Sequence, residues 1–203
     1  MEGKRSYTIP ILLIIITVMA VFLVMSYSKL LLSGQQQSIE DGRRLAEQYQ
    51  EAALLANRLH DGADALLQGD AAATRAQAAW LFGEASGMKK EALKLFVDAS
   101  GRSDSSSGSS PAAGQLQAAM DALFAEPESV LNRLAEQPEP LSAEQMSLLQ
   151  AVRDGAASMS ESLARFRPST VDSGYRSMAA GADWVEPALA ASRALIDMAA
   201  QFK

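Results

Sequence analysis

The sequence predicts an all-α fold in which an N-terminal transmembrane helix precedes an antiparallel helical bundle of the four-helix type. Three observations favour this class. The chain begins with a long apolar run, and alanine, a strong helix former, supplies 37 of its 203 residues. The other apolar residues recur at alternating spacings of three and four, as they do on one face of a helix. No segment shows the strict alternation typical of a half-buried strand.

The apolar run covers residues 9–25 and reads IPILLIIITVMAVFLVM. No acidic or basic side chain occurs from its start to Ser28. Because a helix rises about 1.5 Å per residue, this stretch covers roughly the 30 Å of a bilayer's hydrocarbon core. Tyr7 and Tyr27 are placed to lie at the two membrane faces. We therefore assign a transmembrane signal-anchor helix to residues 9–32.

Basic residues flank this run unequally. Lys4 and Arg5 precede it, while only Lys29 closely follows it. Because the cytoplasmic flanks of membrane helices are enriched in lysine and arginine, we expect residues 1–8 in the cytoplasm. The C-terminal domain, residues 35–203, is then expected outside the cell membrane.

A cleaved secretory signal is the alternative interpretation, since it also combines a basic start with an apolar run. Ser26, Tyr27 and Ser28 form a small-x-small site with cleavage after Ser28. The apolar run is longer than the roughly 7 to 15 residues typical of a signal, which favours an uncleaved anchor. The chain contains no cysteine, and this excludes both a lipid-modified cysteine and a structural disulfide.

The predicted outer domain is acidic. Residues 1–8 hold Glu2, Lys4 and Arg5, which leaves 16 basic and 23 acidic side chains in the rest of the chain, a net charge of −7. This balance argues against nucleic acid and against anionic lipid headgroups as main partners. Beside the membrane itself, we expect a protein partner or self-association.

We divide the outer domain into two helical hairpins, residues 38–99 and residues 142–202. A Gly/Ser-rich sequence at residues 100–110 predicts a flexible loop between them, followed by two short helices within residues 112–135. Near Gly34 the pattern leaves open whether the membrane helix breaks or continues into the first hairpin.

Each long helix carries an apolar seam at heptad-like spacing. In chain order, the four seams are Leu45, Tyr49, Ala52, Ala56, Leu59, Ala63 and Leu66; Ala78, Leu81, Ala85, Met88, Ala92, Leu95 and Ala99; Met146, Leu149, Val152, Ala156, Met159, Leu163 and Phe166; and Val171, Tyr175, Met178, Ala182, Val185, Leu189, Ile196 and Ala199. Ser192 interrupts the last seam. Because every seam needs a partner, two hairpins laid together form the simplest bundle.

The second helix carries further signals. Trp80, Phe82 and Phe96 lie beside its seam and are expected to widen the buried stripe. Gly83 and Gly87 lower helix propensity by about 1 kcal/mol each relative to alanine, and such small residues would let another helix approach closely.

Two signals set the ends of the later helices. Ser142 and Gln145 have the spacing of a capping box, which predicts that the third long helix begins there. Pro187 lies inside the last seam and must kink or split that helix, since proline lacks an N–H and crowds the preceding turn.

His60 is the only histidine in the chain and the only candidate for metal or acid-base chemistry. Asp64 lies four residues later, so the pair would offer two metal ligands on one helix face. No second ligand cluster, catalytic elbow, phosphate loop or dinucleotide fingerprint accompanies it. A surface histidine beside a carboxylate is therefore favoured over a hydrolase centred on His60. We predict no catalytic residue, cofactor, metal or enzymatic activity.

Aromatic residues are the candidates for contact with a ligand or a partner. Trp80, Tyr175 and Trp184, with Met178 nearby, would suit the lining of a pocket. An aromatic stripe at helical spacing is more often simply core, and this interpretation is favoured.

Arginines, which we expect to be exposed, offer a second route to a ligand because pairs of them bind carboxylates. Solvated side chains are the favoured interpretation on an acidic domain. The arginines in question are Arg43, Arg44, Arg58, Arg75, Arg153, Arg165, Arg167, Arg176 and Arg193.

In outline, the layout resembles the membrane-anchored sensory bundles of bacterial chemoreceptors and kinases, which implies a small-ligand sensor. The sequence departs from that pattern because neither a second span nor a cytoplasmic signalling module follows before Lys203. Asn57 and Asn132 do not begin glycosylation sequons, which is compatible with a bacterial origin.

Two functions are therefore expected. The first is a single-pass, membrane-anchored helical bundle that acts as a non-enzymatic interaction or scaffold module of the cell envelope. The alternative is a small-ligand sensor or binding bundle.

Overall fold

The structure, a computed structural model, describes residues 8–69, 71–103, 110–124, 129–137, 139–181 and 183–202. Within this part of the chain every regular element is a helix and no strand occurs. The elements are α1 (Thr8–Gln68), α2 (Ala72–Arg102), α3 (Ala113–Phe124), α4 (Val130–Glu136), α5 (Ala143–Leu163), α6 (Asp172–Ala179) and α7 (Val185–Ala199), with a final 3-10 turn at Ala200–Phe202. The predicted all-helical class is confirmed.

Some predictions fall outside the described residues. These are Lys4 and Arg5, the membrane-face residue Tyr7, the seam residue Ala182, and residues 104–109 of the predicted loop. Tyr27, the other predicted membrane-face residue, has an exposed ring.

Helix α1 is continuous over 61 residues and passes through Gly34 without a break. It is long and apolar enough to cross a membrane. The described apolar side chains between Leu12 and Leu32 are all exposed, Leu23 at 70%. From Leu45 onward the same helix is buried on one face. A single helix therefore joins a segment whose described apolar side chains are exposed to the core of the domain.

The outer part of α1 packs against α2, α5 and α6, and α7 packs against α5, α2 and α3. All seven residues of the predicted α1 seam are buried. In the α2 seam, Met88 is only half-buried, whereas the other members are buried. The heptad spacing thus located the core of the first hairpin.

Side-chain contacts fix the direction of the helices. Gln48 of α1 binds Glu91 of α2, and Arg58 binds Glu84, so α2 runs back toward the apolar segment. At the other end of α2, Arg75 donates to the backbone carbonyls of residues 137 and 139. The end of α4 therefore lies far from that segment. Arg75 is buried at 8% exposure, and its predicted exposure is wrong because these carbonyls bind it.

Helix α5 begins where the capping box predicts. The Ser142 hydroxyl accepts from the Gln145 N–H at 3.2 Å, and the Gln145 side chain accepts from the Ser142 N–H at 2.9 Å. The seam of α5 is buried from Leu149 to Leu163, but Met146 is 42% exposed. Its predicted burial is wrong, because the buried face of α5 begins only at Leu149.

The last predicted helix is split, as Pro187 indicates. Helix α6 ends at Ala179 and α7 begins at Val185, so Pro187 occupies the first turn of α7, where its missing N–H costs little. Between them, Gly181 and Asp183 have φ of 90° and 52°. Glycine adopts this left-handed region readily, whereas aspartate does so at some cost.

The split changes which residues of the last seam are buried. Val171 is 58% exposed, while Val185 and Ile196 are half-buried. Ser192, the predicted interruption, is fully buried and its hydroxyl donates to the Leu189 carbonyl. A single seam does not describe this region, because α7 contacts helices on more than one side.

Candidate functional site

The three predicted contact residues lie in three different environments. Trp80 is 57% exposed, Tyr175 is half-buried and Trp184 is completely buried. Trp184 contacts Arg102, which is 22 residues from Trp80 along α2. This separation corresponds to roughly 33 Å of helix, so the two tryptophans do not share a pocket. Trp80 also does not widen the buried stripe, whereas Phe82 and Phe96 do.

An arginine stacks on each of the three rings. The guanidinium carbon lies 5.7 Å from the ring centre in both Arg43–Tyr175 and Arg58–Trp80, and 5.6 Å in Arg102–Trp184. Cation–π contacts of this length stabilise by about 0.5–1 kcal/mol at exposed sites. They link α1 to α6, α1 to α2, and α2 to the start of α7. Sequence reasoning identified the rings but not these partners, since each pair is distant in sequence.

Trp184 has the surroundings of a structural residue. Its indole N–H donates to the Met178 carbonyl at 2.9 Å, so its only polar group is satisfied within the fold. Arg102 covers the ring and donates to the Ala179 carbonyl at 2.8 Å. Together these contacts close the connection between α6 and α7. A ligand contact at Trp184 stays a prediction.

Tyr175 lies where the backbone of α6 comes close to α1. A Cβ built on Gly42 would be 1.9 Å from the Tyr175 carbonyl oxygen, far inside van der Waals contact. Only glycine therefore fits at position 42. The aromatic ring of Tyr175 lies under Arg43, the next residue of α1.

Trp80 is the one predicted contact residue whose apolar ring is largely left to solvent. Arg58, which stacks on it, also pairs with Glu84 at 2.7 Å. Among the described residues, no atom beyond the helix's own backbone lies within 4 Å of a Cβ built on Gly83 or Gly87, on the same side of α2. This part of α2 has the features of a contact surface: a large exposed aromatic residue beside positions without side chains.

His60 and Asp64, the disfavoured candidates for a pair of metal ligands, contact different residues. The His60 Nδ1 lies 3.2 Å from Asp61, and Asp64 accepts from Gln68. Within the described ranges no group of three or more histidine, aspartate or glutamate side chains could hold a metal ion. The expectations of no metal and no enzymatic activity stay predictions.

A cleft of 570 Å³ lies where the domain meets the apolar segment of α1. Its α1 wall includes Leu30, Gly34, Ser38 and Asp41. Arg102 and Arg176 face them from the ends of α2 and α6. Both arginines lie at helix C-termini, where a cation stabilises the negative end of the helix dipole.

Two polar contacts were not predicted from the sequence, one at the buried Tyr49 and one at the half-buried Glu91. The Tyr49 hydroxyl donates to the Leu163 carbonyl at 2.7 Å, and burial raises the pKa of this hydroxyl above its usual value. The Glu91 carboxylate accepts from Lys94 at 2.6 Å and from Gln48. The bond from Lys94 is the main reason that the pKa of Glu91 is lowered, and the bond from Gln48 adds to it.

With the fold and these contacts established, comparison of the chain with known protein families, with curated proteins and with solved structures finds no match.

Proposed function

We propose that this protein is a single-pass membrane protein whose helical domain acts outside the membrane as a non-enzymatic interaction or scaffold module. The continuity of α1 carries this proposal. The exposed apolar segment and the buried seam belong to one 61-residue helix, so the domain would be held at a fixed height and orientation on its anchor.

The proposed domain is a four-helix bundle of the outer part of α1 with α2, α5 and α7. Contacts between α1 and α2, α1 and α5, α5 and α7, and α2 and α7 support it, because they join the four helices in a closed ring. Helix α3 contacts both α2 and α7, α4 contacts α2, and α6 lies against α1.

The proposed anchor is uncleaved and keeps the N-terminus in the cytoplasm. Support comes from the length of the apolar segment and from Lys4 and Arg5 before it. If this is correct, alkaline carbonate leaves the full chain in the membrane pellet, while deletion of residues 12–32 releases it. Recovery of the full chain in the supernatant would contradict an integral anchor.

Topology is tested separately with protease added outside intact cells or spheroplasts. A tag after Lys203 should be digested and a tag before Met1 should survive. The reverse pattern would overturn the orientation while leaving the anchor intact.

The exposed surface around Trp80 favours the interaction role over a sensor role. A photo-crosslinking residue in place of Trp80 should capture a protein in intact cells, whereas the same residue at Ala157, exposed on α5, should not. Equal labelling at both positions would contradict a specific surface. A melting temperature that rises with the concentration of a small metabolite would favour the sensor instead.

A further inference from the structure

The 570 Å³ cleft between α1 and the ends of α2 and α6 includes part of the apolar segment itself. Leu30 lies on its α1 wall, and the same wall continues to Asp41 and Leu45 of the helical domain. The headgroup layer on each side of a bilayer is roughly 5–8 Å thick, which corresponds to about four or five residues of helix. With the proposed anchor in a membrane, the lower part of this cleft therefore lies among lipid headgroups.

Five charged side chains line the cleft, namely Asp41, Arg44, Asp98, Arg102 and Arg176. Arg44 and Asp41 pair with each other at 3.0 Å, and Arg102 donates to a backbone carbonyl at the end of α6. Within the described part of the chain, neither Arg176 nor Asp98 forms an ion pair, and both are exposed. The cleft therefore holds an uncommitted cation and an uncommitted carboxylate.

These charges lie at different heights above the apolar segment. Helix α2 runs toward that segment, so Arg102 lies closer to it than Asp98 by four residues, or roughly 6 Å. In a phospholipid the phosphate follows the glycerol, and any amine of the headgroup extends beyond the phosphate into water. The arginine below and the aspartate above thus match the order of phosphate and amine in such a lipid.

We propose that this cleft binds one phospholipid whose headgroup carries both a phosphate and a primary amine, as in phosphatidylethanolamine. The inference rests on the proposed membrane anchor. Arg176 and the remaining N–H groups of Arg102 donate to the phosphate, since guanidinium groups match phosphate oxygens. Asp98 accepts from the ammonium, which the negative C-terminal end of α2 also favours.

Charge favours this lipid over the other common headgroups. An anionic headgroup without an amine leaves Asp98 unmatched, and the acidic outer domain repels it. A choline headgroup carries the same two charges but has no N–H to donate to the carboxylate. Leu30 adds an apolar contact at the glycerol end of the lipid, which a free headgroup in water does not use.

The lipids that stay with the purified protein test the proposal. The full chain is reconstituted in vesicles with equal amounts of phosphatidylethanolamine, phosphatidylcholine and phosphatidylglycerol, floated, and extracted with a mild detergent. Mass spectrometry of the intact complex then counts the lipids bound to the 21.6 kDa chain. We expect one phosphatidylethanolamine, preferred about tenfold over each of the other two, a ratio that one hydrogen bond between charged groups supplies.

Substitutions assign the two contacts. Arg176→Gln should lower retention of phosphatidylethanolamine about tenfold, because it removes a charge-assisted bond to the phosphate. Asp98→Ala should abolish only the preference over phosphatidylcholine, since the phosphate contacts remain. The matched control is Arg153→Gln on α5, where Arg153 pairs with Asp154, and it should change neither quantity. Thermal melting verifies that each variant folds.

Retained lipids in the proportions of the vesicle would overturn the inference, and so would a preference for phosphatidylglycerol. Equal effects of Arg176→Gln and Arg153→Gln would overturn the assigned phosphate contact. Displacement of the lipid by soluble phosphoethanolamine at equal concentration would show that a lipid is not the occupant. Protein that does not float with the vesicles instead contradicts the anchor, so the two proposals fail in distinguishable ways.

Discussion

Tyr49 shows how one residue joins the two halves of the domain. It lies in the seam of α1, donates to the Leu163 carbonyl at the end of α5, and meets the Phe166 ring edge-on at 5.2 Å. The carbonyl at a helix end has no partner within its own helix. The Leu163 carbonyl accepts from the Phe166 N–H at 3.2 Å and also from the Tyr49 hydroxyl, which is 114 positions away in the chain.

We expect Tyr49→Phe to lower the free energy of unfolding by about 1 kcal/mol, since the Leu163 carbonyl loses one of its two hydrogen bonds and keeps the one from the Phe166 N–H. Urea titration of the full chain in detergent micelles, followed by circular dichroism, measures this. Tyr27→Phe, in the exposed apolar segment, is the control and should leave the curve unchanged. An equal effect of both changes would contradict a specific role for the Tyr49 hydroxyl.

The same hydroxyl predicts a loss of stability in alkali. Burial raises the pKa of Tyr49 in the folded state, so the folded state retains a proton that the unfolded chain loses above about pH 10. The contribution is complete below that pH and is lost as pH rises further. The difference in unfolding free energy between the original chain and Tyr49→Phe should therefore shrink from pH 9 to pH 11. A constant difference would contradict the raised pKa.

At the scale of elements, Gly42 decides how closely α6 approaches α1. Gly42→Ala would place a methyl group 1.9 Å from a backbone oxygen of α6, and backbone cannot give way as a flexible side chain does. We expect a loss of about 1–3 kcal/mol in unfolding free energy, the usual range for overpacking. Urea titration in micelles again provides the measurement.

Gly34→Ala is the matched control on the same helix, because in the described part of the chain no atom beyond the helix's own backbone lies within 4 Å of its new Cβ. It should stabilise α1 by up to about 1 kcal/mol through helix propensity alone. The two substitutions are chemically identical, so opposite signs isolate the contact with α6. The same sign for both would show that α6 does not lie against Gly42.

The start of α5 gives a second prediction for an element. Ser142→Ala removes the acceptor for the Gln145 N–H and should cost about 1 kcal/mol of unfolding free energy. Ser147→Ala, at an exposed position within α5, should instead be neutral or slightly stabilising. A neutral Ser142→Ala would indicate that α5 begins elsewhere.

Sequence patterns predicted elements better than the contacts between them. The α1 seam and the Ser142 cap depend on local spacing and were correct. Burial around Val171 and Ile196 depends on which neighbouring helices cover α6 and α7 after the chain has turned. The spacing of apolar residues along the sequence does not predict those neighbours. Arg75 was expected to be exposed and is buried, whereas Trp80 was expected to be buried and is exposed. The reason is the same, because long-range partners decide burial and spacing along one helix does not specify those partners.

For the whole molecule, the sequence predicted an anchor and a helical domain but left their connection open at Gly34. Glycine weakens a helix without requiring a break, and the neighbouring leucine and glutamine residues favour continuity. The structure resolves the question in favour of one helix. The consequence is mechanical, since a continuous helix would hold the helical domain at a fixed distance from the proposed anchor.

Cysteine accessibility along α1 tests the central claim most directly, because the natural chain has no cysteine. Single variants Val18→Cys, Phe22→Cys and Gln36→Cys are treated in intact membranes with a maleimide that cannot cross lipid, then again after detergent. The account predicts that Gln36→Cys reacts at once, while the other two react only after the detergent dissolves the bilayer. Equal reactivity of all three in intact membranes would contradict a membrane-embedded segment that continues directly into the domain.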